Sequence, residues 1–207
     1  MSKKELLDEL KKKMEEDESL PLKRGATRLV FGVGNSETKL LLIGEGPGYF
    51  EDQKGEPFVG NAGKLLDSLL QSIKLPREEV YITNVVHHRP PENRDPSPEE
   101  MTAYGVYLDK IIEIIAPRVI VTLGRFSMGK FLPTARISGV HGKKFVVKWK
   151  DKDLVIVPMY HPAAALRSGE VMRQIREDFL KLPGILEELK NKEEKVIQQE
   201  VEQMKLV

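Results

Sequence analysis

The chain has no cysteine among its 207 residues. That excludes disulfides, thiolate metal sites, cysteine-ligated iron–sulfur clusters and cysteine nucleophiles. Tryptophan occurs once, so a long aromatic stacking surface is not expected. No apolar run approaches the roughly 20 residues of a membrane span. The N-terminal MSKKELLDELKKK lacks the apolar core of a secretory signal, which makes a cytoplasmic location the default and leaves no membrane contact to expect. Charge of one sign is also lacking: 33 Lys and Arg face 32 Asp and Glu, so contact with a polyanion must come from a local basic patch. The serine elbow GxSxG, the phosphate loop GxxxxGK[ST] and the dinucleotide fingerprint GxGxxG are all missing. What remains, 40% hydrophobic and 31% charged, is the composition of a soluble domain with a full core.

The most informative stretch is residues 39–64, KLLLIGEGPGYFEDQKGEPFVGNAGK. An apolar run over 40–43 ends in Gly44-Glu45-Gly46-Pro47-Gly48, a tight turn after a buried strand. Glycines let another molecule approach the backbone closely, and Pro47 stiffens the turn. A polar segment leads to Pro57-Phe58-Val59-Gly60, where Asn61 is expected to cap a helix starting near Ala62. A carboxylate and a ring are thereby held near a strand end, where open α/β sheets bind ligands.

Around it, residues 3–16 read as an amphipathic helix with Leu6, Leu7, Leu10 and Met14 on one face. A connector over 19–26 leads to a short strand over 28–31 and a turn over 32–35. The helix over 62–73 is followed by a buried strand, VYITNVV, over 80–86. The loop over 87–96 is kept from helix by its prolines, and His87 and His88 read as exposed there. Ser97 with Glu100 forms a capping box opening a helix to 115. A third buried strand covers 118–123, with a short helix through 131. Residues 143–157 alternate as a hairpin turning over 150–153, and the second arm ends at Met159-Tyr160-His161-Pro162. A helix over 168–181 is expected to break near Pro183, followed by a charged helical pattern over 185–207. The alternation of strand and helix specifies a mostly parallel, three-layer α/β domain over 27–182. A charged helix and connector precede it over 1–26, and a charged helical extension follows over 183–207.

In that architecture the strand ends bring Glu45 with Phe58, Asn84, Gly124 with Arg125, and His161 to one crevice. Each has a plainer reading. Asn84 suits a residue satisfying backbone groups at a strand end, His161 a packed loop histidine, and Phe58 a core ring. An amide, a carboxylate, an imidazole and a ring suit a planar heterocycle, and equally suit several other small ligands.

The segments GEGPGYFEDQKGEPFVGNAGKLLD, VYITNVVHHRPPENRDPSPEE, IAPRVIVTLG and HPAAALR, in this order and spacing, resemble the fourth-family (thermophile-type) uracil-DNA glycosylases from about residue 27 to 178. The resemblance implies an α/β/α sandwich with a central four-stranded parallel sheet. It also implies removal of uracil from single- or double-stranded DNA after the nucleotide is flipped out, by a monomer. It assigns Phe58 to stacking on the base, Asn84 to reading its edge, Glu51 to the position that abuts C5, and His161 to the charge developing on O2. Glu45 would orient the attacking water, and Gly46 stands in the substrate-binding turn where first-family enzymes place an Asp. Arg167 would grip phosphates, with Lys64, Arg89, Arg94, Lys143 and Lys144 as further phosphate contacts. Two other readings compete: a non-catalytic relative that binds DNA or uracil, and a glycosylase for another deaminated base such as hypoxanthine. The latter draws on Tyr49 and Phe50, which stand where the family is usually acidic.

Typical members of that family hold an iron–sulfur cluster on cysteines. Matching outward from the flanking motifs puts those positions at Asp17, Leu20, His88 and Tyr104. One imidazole without thiolates does not hold iron–sulfur, so no cofactor is expected, and packing through Leu20, Leu22 and Tyr104 is expected to do the cluster's structural work. A related branch crosslinks to DNA through a histidine in an inserted KRRIH loop. The short loop over 90–98 lacks that insertion, so free uracil and an abasic site are the expected products.

Overall fold

The computed structural model describes residues 1–204. Its sheet comprises β1 (Val33–Gly34), β2 (Leu40–Gly44), β3 (Tyr81–Asn84), β4 (Val119–Leu123), β5 (Phe145–Trp149) and β6 (Lys152–Met159), in spatial order β1-β3-β2-β4-β6-β5. The inner strands β3, β2, β4 and β6 are parallel, as the sequence implies, while β1 and β5 pair antiparallel at the two edges. The helices are α1 (Lys3–Glu16), α2 (Tyr49–Lys54), α3 (Asn61–Ser72), α4 (Pro98–Ile115), α5 (Arg125–Gly129), α6 (Ile137–Val140), α7 (Pro162–Ala165) and α8 (Gly169–Met204).

Every residue of β2, β3 and β4 is buried, which is why these strands read as continuous apolar runs and not as alternating ones. Successive side chains point to opposite faces. Leu41, Ile43, Ile120 and Ile156 meet Leu7 and Met14 of α1 and Leu108 and Ile112 of α4. Leu40, Leu42, Val119 and Val121 meet Leu66 and Leu70 of α3 and Ile175 and Phe179 of α8. The result is three layers, with Leu20 and Leu22 of the N-terminal connector sharing the first of the two cores. Ser97 caps α4 as expected: its Oγ accepts from the Glu100 N–H at 3.2 Å, and the Glu100 carboxylate accepts from the Ser97 N–H at 2.8 Å.

Several local expectations fail for identifiable reasons. Residues 28–31 form no strand: the Val30 N–H donates to the His87 carbonyl, and the Phe31 carbonyl accepts from the Thr83 hydroxyl. The edge strand lies instead at 33–34, inside the expected turn. The polar segment after Gly48 contains the short helix α2. Gly60, not Asn61, is the N-cap of α3, and no side chain caps it. The β5–β6 hairpin turns at Lys150 and Asp151, whose φ angles of 44° and 65° mark a two-residue turn twisted to suit the strands. Pro183 does not break α8, because Ile175, Phe179 and Leu182 are buried before it and Ile185, Leu186 and Leu189 pack after it. Residues 205–207 of the expected C-terminal extension lie outside the described residues.

Candidate active site

The connections from β2 to β3 and from β4 to β6 run in opposite directions across the sheet. The order therefore reverses between β2 and β4, where open α/β sheets leave a crevice at the strand C-termini. A crevice of about 650 Å³ lies there, lined by Glu45, Gly46, Glu51, Phe58, Asn84 and His161 among others. Side chains from four separate strand ends thus share one space, as the sequence implied. The basic candidates divide. Arg94 and Arg167 line the crevice, while Lys64 lines a second cleft that Phe58 also borders. Arg94 is committed to the Glu100 carboxylate through both terminal nitrogens, at 2.8 and 2.6 Å. Lys143 donates to the Gly139 carbonyl and Lys144 pairs with Glu188, so neither faces the crevice.

Phe58 sits at φ 54°, a left-handed conformation that a bulky residue adopts at a cost of roughly 1–3 kcal/mol. Arg77 holds it there. Its guanidinium donates to the Pro57 carbonyl at 2.5 Å and the Phe58 carbonyl at 3.2 Å, and pairs with Asp67 at 2.9 Å. Gly63 is required alongside: a Cβ at that position would lie 1.8 Å from the Phe58 carbonyl oxygen. Arg77 was not among the residues read from the sequence, and no local pattern marks it, because its target is two carbonyls some twenty residues away.

Asn84 ends β3 in register with Gly44. Its side chain is buried at the crevice, and its amide makes no hydrogen bond to protein among the described residues. The reading of Asn84 as a backbone-satisfying residue therefore fails. Gly44 carries the reason for its own identity: an added Cβ would lie 2.4 Å from Asn84 Oδ1 and 2.6 Å from Phe58 Cε2. A Cβ at Gly46 would lie 2.7 Å from Val86 Cγ2, so a side chain there requires Val86 to move. The Glu51 carboxylate accepts from the N–H groups of Val59 and Gly60, both at 2.9 Å, and of Gly48 at 3.2 Å. It ties the first turn of α2 to the loop that carries Phe58.

His161 is the N-cap of α7, and its Nδ1 accepts from the Ala163 N–H at 3.1 Å. A backbone N–H can only donate, so the neutral ring carries its hydrogen on Nε2. Burial pushes the His161 pKa down to about 4, against a smaller opposing pull from Glu51. Its ring lies 5.5 Å from that of Phe58, tilted by 29°. Gly124, at φ 99°, leaves room for it, since a Cβ there would come within 3.2 Å of His161 Cβ. Glu45 is half-buried, and burial raises its pKa, reinforced by Asp95 and opposed by Arg125.

The model of the Uracil DNA glycosylase superfamily matches residues 31–181. The type-4 uracil-DNA glycosylase of Archaeoglobus fulgidus is 44% identical over 183 residues, 86% of this chain and 92% of its own length. That of Sulfurisphaera tokodaii is 46% identical over 75% of this chain and 74% of its own, and that of Thermotoga maritima 40% identical over 89% and 97%. The chain belongs to the type-4 uracil-DNA glycosylases.

The residues at the positions matched to the family's cluster cysteines do not fit an iron–sulfur cluster. His88 Nδ1 is engaged by the Tyr104 hydroxyl at 2.8 Å, and both side chains are buried. Asp17 accepts from Ser19 and, at 2.7 Å, from the Tyr107 hydroxyl, while Leu20 packs in the core. No cysteine is present to supply a thiolate. The type-4 motif HPAAALR also carries Leu166, 49% exposed beside Arg167 at the crevice rim, a residue the sequence reading passed over.

His87 and His88, read as exposed, are both buried. The Thr83 hydroxyl donates to the Phe31 carbonyl, so it accepts from His87 Nε2 at 3.1 Å, leaving His87 Nδ1 without a partner among the described residues. Burial pushes His87 down to about 3 and His88 to about 4. With His161, three imidazoles are therefore neutral in the fold at a pH where the unfolded chain protonates them, near 6.5. Their contribution is complete above pH 6.5 and is lost as pH falls from there towards 4. Glu45, whose pKa is raised, acts in the opposite sense as one group against three. Urea titrations should give a level midpoint between pH 8 and 7 and a steep decline between 6.5 and 4.5, with about two to three protons taken up on unfolding near pH 5. A midpoint level down to pH 4.5 would mean that these rings protonate within the folded chain.

Proposed function

We propose that the protein excises uracil from DNA, the first step of base-excision repair, acting as a monomer in the cytoplasm on single- or double-stranded substrate. The observation that carries this reading is the Asn84 amide: buried, unspent on protein, and facing the same crevice as Phe58 and His161. An amide offers one donor and one acceptor side by side. Uracil's edge presents the complement, with O4 accepting and N3–H donating. Cytosine reverses both polarities, and each buried group left unpaired costs about 1–3 kcal/mol.

The ring spacing sets the pose. A base between two rings needs roughly 7 Å, so 5.5 Å leaves no room for a sandwich. Uracil stacks on one face of Phe58 with the His161 imidazole towards its edge. Glu51, held by three backbone donors, cannot swing away from the C5 side, and thymine's methyl group would meet it. Gly46 keeps the turn beneath the base free of side chains.

As the C1′–N1 bond breaks, its electron pair passes to the uracil ring and charge accumulates on O2. His161 donates Nε2–H to that oxygen, a preorganised hydrogen bond that strengthens in the transition state. The sugar becomes oxocarbenium-like, and a water attacks C1′. Glu45 orients that water and takes its proton, with a pKa raised towards the operating pH in the manner of a general base. Arg167 and Leu166 at the rim grip the backbone and fill the gap left by the flipped nucleotide, with Arg89 nearby. Arg94 and Lys64 contribute more weakly, one spent on Glu100 and the other in the second cleft.

Oligonucleotides carrying uracil, hypoxanthine, xanthine or a thymine mismatch, treated with protein and then alkali, test this directly. Strand cleavage at uracil alone is expected, with stoichiometric free uracil and no adduct on a denaturing gel. Faster release of hypoxanthine would transfer the activity to the purine reading, and binding without release would leave a non-catalytic relative.

A further inference from the structure

Tyr49 and Phe50 open α2, next to Gly48 and Glu51 of the crevice wall, yet are 54% and 61% exposed. They stand edge to face, ring centroids 5.5 Å apart at 80°, so each restricts the other. The Arg89 guanidinium lies over the Tyr49 ring, 5.3 Å from its centroid, and Nε donates to Asn93 Oδ1 at 2.7 Å. Arg89 has no carboxylate partner among the described residues, so its charge is free for phosphate. Its neighbours Pro90 and Asn93 line the crevice. Two loops that build the site, one after β2 and one after β3, thus meet in a small surface of two π-faces and one unpaired cation.

We propose that Tyr49, Phe50 and Arg89 form a stacking platform for an unpaired nucleobase beside the extruded nucleotide, biasing the enzyme towards single-stranded DNA. The proposal rests on the uracil-excision reading, because the platform's place at the rim gives it a base to stack only when DNA enters the crevice. In single-stranded DNA a neighbouring base reaches the rings at little cost. In duplex DNA the same base is already paired and stacked, and moving it cancels the gain. Stacking on a protein ring strengthens binding by roughly tenfold or more per base and tolerates any sequence, since every base has a π-face.

The test uses the full chain on one uracil oligonucleotide, single-stranded or annealed. The double variant Tyr49→Ser/Phe50→Ser should lower the single-strand to duplex ratio of kcat/KM by roughly tenfold, mainly through KM. Tyr49→Phe/Phe50→Tyr, which keeps both rings, should preserve the ratio. In parallel, 2-aminopurine beside an abasic site in a single strand should lose fluorescence on binding the wild type and keep it with the serine variant. An unchanged ratio, or equal quenching by both proteins, overturns the platform. If the wild type releases no uracil from either substrate, the excision reading fails, and the quenching comparison still decides whether these rings stack a base.

Discussion

Gly44→Ala is expected to reduce single-turnover uracil release by roughly 10²-fold or more while leaving the chain folded. Gly44 is not in the left-handed region, so its backbone accepts alanine without strain. The damage is confined to what the new methyl group meets. At 2.4 Å from Asn84 Oδ1 and 2.6 Å from Phe58 Cε2, it must displace the group that reads the base, the ring that supports it, or both. Overpacking of this kind costs about 1–3 kcal/mol of stability, which a urea midpoint will register without loss of the cooperative transition. Full activity in a folded Gly44→Ala variant would show that neither side chain needs its present position, and the assigned recognition would fall with it.

The second large effect is expected at His161. Alanine removes the Nε2 donor, and the rate of glycosidic cleavage should fall by roughly 10²–10³-fold in single turnover, with substrate affinity much less affected. Some stability goes too, because Nδ1 caps α7, a loss of about 1 kcal/mol. Since the ring is neutral down to about pH 4, the His161-dependent part of the rate should not decline between pH 8 and 6. Equal single-turnover rates for His161→Ala and wild type would remove the imidazole from the reaction.

How much of this was legible in the sequence depended on whether the signal was local. The parallel strands were readable because burial on both faces leaves unbroken apolar runs. The turn at 44–48 and the Ser97 cap were readable because their chemistry is complete within a few residues. Asn84 and His161 were visible as polar residues where apolar strands end. What the sequence hid is long-range. Arg77 acts on carbonyls at Pro57 and Phe58, and only the folded chain reveals that pairing. His87 and His88 look like loop residues beside a run of prolines, but Phe31 and Tyr104, distant in sequence, pack against the first and Tyr104 against the second. Pro183 looks like a helix breaker, yet apolar residues on both sides carry α8 through it. The identity of Gly44 rests on the absence of an atom, which no pattern of side chains announces.

The contact between His88 and Tyr104 has a chemical consequence of its own. It joins the loop after β3 to α4 through a phenol and an imidazole, and Leu20 and Leu22 of the N-terminal connector pack in the same core as Tyr104. Oxidants attack thiolates and the clusters that thiolates hold, and a chain without cysteine offers them no thiolate. A fastening made of side chains alone is complete as soon as the chain has folded.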